Sequence, residues 1–345
     1  MRVFHGPINV AGIAGLLARA ERNAGIDSFS YCLPSGSYRY FSDFSVKANT
    51  PKKMELELVM FAARQAWRID VFHFYFGHSL TLSHLADIPI LKMLGKKVFF
   101  YFHGCDIRDS KDVIYRYPIN ACREHWPMAC SANRKKAIAV AGRYANGIFV
   151  STPDLLEFIP GSIWLPQPID LEHFKLLRDT ALASVKKSRA KKRNIIISHA
   201  PSDRMIKGTH YLEQAVQKLV RKGYPVKLQL VEKMSYEEAL VCYAKSDIAV
   251  DQLLIGSYGM FAVEMMAMGK PVICYLRDDL VKQHFPADLP IISATPENIA
   301  DVLEDAIEHK TDWPDIGEQG IRYVEQVHDS RVIAAKTIEH YYSAR

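Results

Sequence analysis

Residues 251–275 constrain the fold most, because they join two buried strand patterns through a helix that is apolar on nearly every side. A turn containing Gly256 and Gly259 follows the first strand, and the helix pattern then runs over residues 260–268. Gly269 is placed to end this helix, since glycine takes the left-handed backbone conformation there without steric cost. A helix that is apolar all round is a buried helix. We therefore expect this segment to lie in the core of a domain.

Strand and helix patterns alternate along the whole chain, which predicts an α/β fold with parallel sheets and helices on both faces. Strand patterns occur at residues 3–5, 28–33, 71–75, 98–102, 148–150, 195–198, 226–231, 248–250 and 272–275. Helical periodicity occurs at residues 14–23, 55–67, 80–94, 212–220, 299–307 and 332–341.

Two closely spaced prolines, Pro166 and Pro168, predict an extended and semi-rigid connection between two α/β halves. We place the domain boundary there, with residues 1–166 in the first domain and residues 167–328 in the second. In open α/β sheets, ligands bind beyond the carboxyl ends of the strands. The expected architecture is two Rossmann-like βαβ domains that face each other across a cleft.

The composition is that of a soluble globular protein, since 49% of the 345 residues are hydrophobic and 24% are charged. No run approaches the roughly 18 apolar residues of a membrane span. The first residues predict a strand and lack the apolar region of a signal peptide. Six scattered cysteines indicate reduced thiols rather than a disulfide framework. These features predict a cytoplasmic protein.

The net charge of +6 is matched by one segment, residues 186–193, which carries six basic residues and no acidic one. A charge excess this local does not indicate a nucleic-acid-binding protein, and a solvated linker is one interpretation. The alternative is a patch that contacts an anionic membrane surface weakly, which would place the protein peripherally at the inner membrane face.

The sequence predicts no metal site. Cys122, His125 and Cys130 lie close together in the chain, but their spacing fits no common zinc pattern and a fourth ligand is missing. No Asp-x-Asp sequence stands at the end of a strand pattern either. We therefore expect activity without an essential metal.

The loop after the first strand is rich in small residues and opens a helix. It contains Gly12 and Gly15, which let backbone amides approach a phosphate or a sugar. An ordinary turn is the alternative interpretation.

The strand at residues 98–102 is followed by His103, Asp106 and Arg108, with Gly104 freeing the turn. Packing explains such a group poorly at the mouth of a buried strand, so we predict His103 and Asp106 as catalytic residues. A local hydrogen-bonded turn, with Asp106 and Arg108 as a surface pair, is the alternative.

The strand at residues 195–198 is followed by a loop that carries Arg204 and Lys207 into a helix. A guanidinium group can bind two phosphate oxygens, and an ammonium group adds a compact charge. Cations at a helix N-terminus oppose its dipole, so both are reasonable there if an anion binds between them. Solvated surface cations are the alternative. Ser202 and Gly208 belong to the same predicted site.

The amino end of the buried helix and one carboxylate on it belong to the same predicted anion-binding site. The amides of Gly259 and Met260, together with the positive dipole end, suit a diphosphate. Glu264 lies on this helix, and a buried ionised carboxylate needs a partner, either protein donors or a ligand. We include the neighbouring Tyr258 among the predicted donor-binding residues.

These motifs resemble GT-B-fold retaining glycosyltransferases of the large family-four type. The resemblance covers most of the chain, from the His103-Gly104-Cys105-Asp106 turn to residues 199–275. It implies that Arg204 and Lys207 bind the donor diphosphate and that Glu264 binds the nucleotide ribose. It also implies that a last helix at residues 329–345 packs back on the first domain.

The function implied by the resemblance is transfer of a sugar, with retention, from a UDP- or GDP-linked donor to a glycan, lipid-linked or small-molecule acceptor. No further cofactor is required. His103 would hydrogen-bond the donor sugar, and cations and backbone amides would neutralise the leaving diphosphate. Two alternatives stay open: a nucleotide-sugar-binding protein with impaired catalysis, and a nucleotide-sugar epimerase of the same fold.

One departure from the family motivates the first alternative. The signature has a glutamate eight positions before Glu264, near the transferred sugar, and this chain has Gly256 there. Asp251, five residues earlier, is our hypothesis for a substitute.

Overall fold

The computed structural model describes residues 1–124, 134–187 and 194–344, and these form two compact units. The described residues of the first unit are 1–109, 134–169 and 329–344, and those of the second are 110–124, 170–187 and 194–328. Each unit is built on one parallel sheet.

The elements up to residue 164 are, in chain order, β1 (Arg2–Gly6), α1 (Ile13–Asn23), β2 (Asp27–Cys32), β3 (Phe44–Ser45), α2 (Pro51–Gln65), β4 (Val71–Tyr75), α3 (Asp87–Met93), β5 (Lys97–Phe102), α4 (Ser110–Arg116), α5 (Ala121–Glu124), α6 (Arg134–Tyr144), β6 (Gly147–Val150) and β7 (Ile163–Trp164). The later elements are α7 (Leu171–Lys187), β8 (Ile195–His199), α8 (Arg204–Lys207), α9 (Thr209–Arg221), β9 (Val226–Leu230), α10 (Tyr236–Lys245), β10 (Ile248–Val250), α11 (Met260–Ala267), β11 (Val272–Cys274), α12 (Asp278–His284), β12 (Ile291–Ser293), α13 (Ile299–Glu308), α14 (Trp313–Val327) and α15 (Ser330–Ser343). Short 3₁₀ helices lie at Val10–Gly12, Gly36–Tyr38, Ala66–Arg68, Pro153–Phe158 and Lys310–Asp312.

The predicted α/β fold class is confirmed, and each predicted strand is present with its ends shifted by no more than about one residue. The first sheet has the order β3-β2-β1-β4-β5-β6-β7, and the second has the order β12-β11-β10-β8-β9. Because the strands are parallel, their carboxyl ends meet at one edge of each sheet. This arrangement makes the loop after β8 a neighbour of the loop after β10, and the loop after β5 a neighbour of β4.

Strand residues of the first sheet alternate between two buried faces. One face carries Phe4, Phe72, Phe74 and Phe100 and packs against α2, α3 and α6. The other face carries polar aromatic side chains such as Tyr75, and the elements there include α1 with α15 packed against it. The last helix therefore belongs to the first unit.

The buried helix of the second unit matches its sequence pattern. Residues 261–267 of α11 are buried, and Gly269 follows the helix at φ +68°, in the left-handed region. The expectation that this glycine ends the helix is confirmed.

The helix predicted at residues 80–94 is wrong in its first half, since α3 begins only at Asp87. The Asp87 carboxylate accepts hydrogen bonds from Leu80 N at 3.0 Å and Thr81 Oγ1 at 2.6 Å, which stabilises an irregular turn instead. Leu80 and Leu85 are buried and so produce the apolar spacing, but they reach the core from that turn.

Within the described residues, no helix combines the length and hydropathy needed to cross a lipid bilayer.

Candidate functional site

The candidate site of the second unit lies where β8 and β10, which pair directly, both end. His199, the last residue of β8, links these loops. Its Nδ1 donates to the Val250 carbonyl oxygen at 2.7 Å, and its Nε2 accepts from Thr209 Oγ1 at 2.9 Å. Burial lowers the pKa of His199 to about 4, so the neutral ring holds this geometry at physiological pH.

Lys207, Asp251 and Gly259 are brought together at the amino end of α11. The Lys207 Nζ donates to Asp251 Oδ1 at 2.7 Å, and the Gly259 amide donates to Asp251 Oδ2 at 2.7 Å. The Asp251 side chain is inaccessible to solvent and that of Lys207 is only 12% exposed. A Cβ at Gly259 would lie 3.2 Å from Lys207 Nζ, so the missing side chain leaves room for the ammonium group. The ammonium group, the amide and the helix dipole together compensate the buried carboxylate.

Arg204 lies on the same short helix as Lys207 but has other hydrogen-bond partners. Its Nη2 and Nε donate to Glu232 at 2.6 and 3.0 Å, and its Nη1 contacts Glu213 at 3.4 Å. The side chain is 50% exposed. Exposed ion pairs contribute only about 0–1 kcal/mol, so exchanging these carboxylates for a phosphate would cost little.

Glu264 is buried in α11 and is held by tyrosine hydroxyls. Tyr236 donates to Glu264 Oε1 at 2.8 Å. Burial raises the pKa of Glu264 to about 7, and the hydrogen bonds from Tyr236 and Tyr243 oppose this rise in part. The protein itself therefore supplies donors to this carboxyl group, which exchanges its proton near neutral pH.

Replacement of Glu264 by glutamine is expected to stabilise the protein more at high pH than at low pH. Because the folded pKa is above the ordinary value of 4.5, the wild-type group contributes stability that is fully present below about pH 4.5 and lost as the pH rises through about 7. Urea unfolding at pH 5 and pH 8 should show the difference between Glu264→Gln and wild type growing by roughly 2 kcal/mol. Parallel stability curves for the two proteins across this range would contradict the assignment.

Gly256 lies against Arg277, at the position where the family signature has its first glutamate. Its φ is +84°, and a Cβ there would lie 2.7 Å from Arg277 Cγ. The Arg277 guanidinium stacks over the Tyr117 ring at 3.8 Å and donates to Asp279 at 2.7 and 3.0 Å. Any side chain at residue 256 would have to adopt a strained backbone and displace this arginine.

Tyr258, predicted to bind the donor, has its side chain buried inside the second unit. Its hydroxyl lies 2.6 Å from the Tyr323 hydroxyl and 3.0 Å from His328 Nε2. The side chain therefore ties the turn before α11 to the end of α14.

The other predicted residues of this unit sit at the ends of α8 and α11. Ser202 is exposed in the loop before α8, and Gly208 ends α8 beside the side chains of Leu253 and Leu254. Met260 is the first residue of α11.

His103, predicted to be catalytic, follows β5 in the first unit. Both ring nitrogens are buried and have no hydrogen-bond partner among the described residues. The ring lies 4.3 Å from the Tyr101 ring and is stacked on Tyr75 at 6.0 Å, measured between centroids. Burial lowers the pKa of His103 to about 3, so the neutral imidazole offers one donor and one acceptor.

Asp106, predicted to be catalytic, shapes the turn that carries His103. Its carboxylate accepts from the Gly104 amide at 2.6 Å and from the His103 amide at 3.1 Å. Burial raises the pKa of Asp106 to about 6. The neighbouring Arg108 donates to Asp154 at 2.6 Å. These contacts favour the interpretation of a hydrogen-bonded turn for Asp106.

Gly12 and Gly15 lie at the start of α1. Gly12 precedes the helix beside the Tyr40 ring, and Gly15 lies inside it. A Cβ at Gly15 would come within 2.1 Å of the Phe41 carbonyl oxygen. Close backbone packing therefore requires glycine at position 15.

Two contacting residues are not singled out by the sequence patterns. Tyr236 follows the helix-capping residue Ser235, so its position suggests only a helix start. Arg277 lies just beyond the carboxyl end of β11, which pairs with β10, and this placement is the one signal that could have identified it.

Two further predictions concern residues outside the described part of the chain. His125 and Cys130, two of the three residues considered as metal ligands, lie outside the described residues. Residues 188–193 of the basic segment lie outside them as well. Across the residues that the structure does describe, no group of three or more His, Cys, Asp or Glu side chains could hold a metal ion.

Solved structures with the same architecture cover nearly all of the chain. Anabaena Alr3699/HepE in complex with UDP has a TM-score of 0.64 at 13% identity, over 99% of this chain and 100% of that chain. The catalytic domain of starch synthase IV from Arabidopsis thaliana, bound to ADP and acarbose, has a TM-score of 0.64 at 13% identity, over 99% and 98%. UDP-GlcNAc 2-epimerase from Neisseria meningitidis, bound to UDP-GlcNAc, has a TM-score of 0.56 at 14% identity, over 99% of both chains.

These likenesses show that the chain has the GT-B fold, as its sequence motifs predict. Neither a protein-family model nor a curated protein sequence matches it. A likeness at this identity defines the fold and does not define the chemistry of the site.

Proposed function

We propose that this protein is a glycosyltransferase that moves a sugar from a UDP- or GDP-linked donor to an acceptor, with retention and without a metal. The observation that carries the proposal is the ammonium group of Lys207, held at the amino end of α11 by Asp251. An ammonium group has three N–H donors and Asp251 accepts from one of them, so Lys207 can also donate to a diphosphate leaving group beside the helix N-terminus. HepE, which shares the fold, was solved with UDP and with UDP-glucose.

In this proposal the residues of the second unit bind the nucleotide diphosphate. Lys207 and the Met260 amide neutralise the charge that grows on the leaving phosphate, and Arg204 exchanges Glu232 for a phosphate oxygen. Glu264 would accept a hydrogen bond from a ribose hydroxyl in its ionised form. His103, in the first unit, would hydrogen-bond the donor sugar as a neutral ring.

The proposal extends to three classes of acceptor: a glycan, a lipid-linked molecule or a small molecule. Peripheral contact of residues 186–193 with an anionic membrane surface also stays a prediction.

The test pairs calorimetry with turnover. We expect UDP- or GDP-sugars to bind, with a donor at a hundred times its Kd adding about 2.7 kcal/mol of stability. We also expect a donor to be consumed in EDTA once an acceptor is supplied. Binding without consumption of any donor would instead support the impaired protein, for which Arg277 packed over Gly256 is the structural argument.

A nucleotide-sugar epimerase is the second candidate, because an epimerase shares this fold. It predicts that the donor is altered, or its sugar released, in the absence of any acceptor. NMR of the donor incubated with protein alone separates the two activities.

A further inference from the structure

Three helices of the first unit, α2, α3 and α6, cover the same face of its sheet. Their inward residues Leu58, Ile88, Leu91, Ala137 and Ala141 belong to one buried cluster with the strand phenylalanines. We call the outward sides of these three helices the outer helical face.

The outer helical face exposes large apolar side chains in helical register. On α2, residues Leu56, Val59 and Met60 are exposed at spacings of three and four, and Leu56 is 58% exposed. On α3 and just after it, Ile90, Met93 and Leu94 repeat this spacing, and Met93 is 79% exposed. Apolar groups of this kind on a soluble domain mark an interaction surface.

Trp67 is a further exposed apolar side chain, located where the ends of α2 and α3 approach each other. It follows α2 and is 67% exposed, and its carbonyl oxygen accepts from Lys96 Nζ at 3.1 Å. The Lys96 amide in turn donates to the Leu91 carbonyl oxygen of α3. The segment after α3 is therefore hydrogen-bonded to the segment after α2, so the ends of the two helices that carry the stripes lie near each other.

The exposed charges on these helices all have the same sign. Every exposed charged residue of α2, α3 and α6 is basic, namely Lys52, Lys53, Arg64, Lys135, Lys136 and Arg143. The acidic residues of α2 are partly buried: Glu57 accepts hydrogen bonds from Tyr31 and the Lys47 amide, and Glu55 faces His84 at 3.9 Å. The single acid of α3, Asp87, is the first residue of that helix, and its buried carboxylate accepts hydrogen bonds from the preceding turn.

We propose that the outer helical face binds an anionic lipid bilayer surface, with its apolar side chains in the interface and its cations on the headgroups. Basic helices with apolar side chains, including Trp, on the facing side bind membranes in this way. A second copy of the chain fits the charges poorly. In a two-fold pairing across α2, the Lys52–Lys53 end of one helix would meet either itself or the Arg64 end of the other, with cations opposed in both cases.

The test is sedimentation of the full chain with phosphatidylglycerol vesicles and with phosphatidylcholine vesicles. We expect binding to the anionic vesicles that falls steeply with salt, and much weaker binding to the neutral ones. Lys52→Gln/Lys53→Gln should weaken binding about thirtyfold, since each cation near the surface contributes about fivefold. Leu56→Gln/Met93→Gln should weaken it at least tenfold.

The matched control is Val220→Gln/Val241→Gln, which changes two exposed apolar residues of the second unit and should leave binding unchanged. Equal binding to both vesicle types, no binding to either, or wild-type binding by both test variants would overturn the proposal. So would a dimer of the wild type, seen by analytical ultracentrifugation, that Leu56→Gln/Met93→Gln dissociates, since the face would then join two copies.

Discussion

Lys207→Met is expected to lower the rate of the proposed sugar transfer by a hundred- to thousandfold, the usual effect of removing one preorganised group that stabilises developing negative charge (roughly 2.7–4 kcal/mol). The Lys207 Nζ lies at the amino end of α11, where the proposed diphosphate would leave. The same substitution removes the ion pair of the buried Asp251 carboxylate. Its hydrogen bond from the Gly259 amide remains. A buried ion pair broken on one side costs about 3–5 kcal/mol. The single variant should therefore lose both stability and rate.

A second variant separates these two effects. Lys207→Met/Asp251→Asn removes both charges, and the asparagine carbonyl oxygen can still accept from the Gly259 amide. We expect it to recover most of the lost unfolding free energy, measured by urea denaturation, but not the transfer rate. A double variant that transferred sugar at the wild-type rate would show that the pair only supports the fold.

The Lys207–Asp251 pair illustrates how far the sequence alone could lead. The strand patterns at residues 195–198 and 248–250 place the two following loops at one sheet edge, so proximity of Lys207 to the turn at Gly259 is predictable. The sequence does not predict that Asp251 accepts hydrogen bonds from both the ammonium group and the Gly259 amide, because these contacts depend on exact atomic positions. Hydrogen-bond geometry depends on loop conformation, which residue spacing does not determine.

The helix at residues 80–94 and the glycine at position 256 show two other limits. Apolar spacing identifies which residues reach the core, but Leu80 and Leu85 reach it from a turn held by Asp87. The missing glutamate at position 256 is visible in the sequence, whereas the arginine that fills the space beside it is 21 positions away. Periodicity reports burial, and it carries no information on long-range partners.

The sequence patterns predict least well which titratable side chains are buried. His103 was predicted from its place after β5, and its low pKa follows from burial that only the packed structure reveals. Glu21 is also fully buried, on the inner side of α1 among residues from distant elements. An amphipathic pattern would assign a glutamate to the solvent side of such a helix.

Glu21→Ala is expected to lower the unfolding free energy by about 3–5 kcal/mol, because it removes the acceptor at the centre of a buried network. The Glu21 carboxylate accepts from His5 Nε2, Ser28 Oγ and Thr337 Oγ1, each at 2.8 Å, and from the Tyr341 hydroxyl at 3.1 Å. Alanine would leave four buried donors without this partner and open a cavity between α1 and α15.

Two further variants serve as controls: Glu21→Gln changes the same buried position conservatively, and Glu339→Ala changes an exposed glutamate. Glutamine retains one carbonyl oxygen and keeps the volume, so its loss should fall between those of alanine and wild type. Glu339 is an exposed glutamate on α15, and its replacement by alanine should change stability by no more than about 0.5 kcal/mol. Hydrogen exchange of the α15 amides should accelerate in Glu21→Ala, because Thr337 and Tyr341 connect that helix to Glu21. If α15 stayed as protected as in the wild type, the carboxylate would not be what holds the last helix on the first unit.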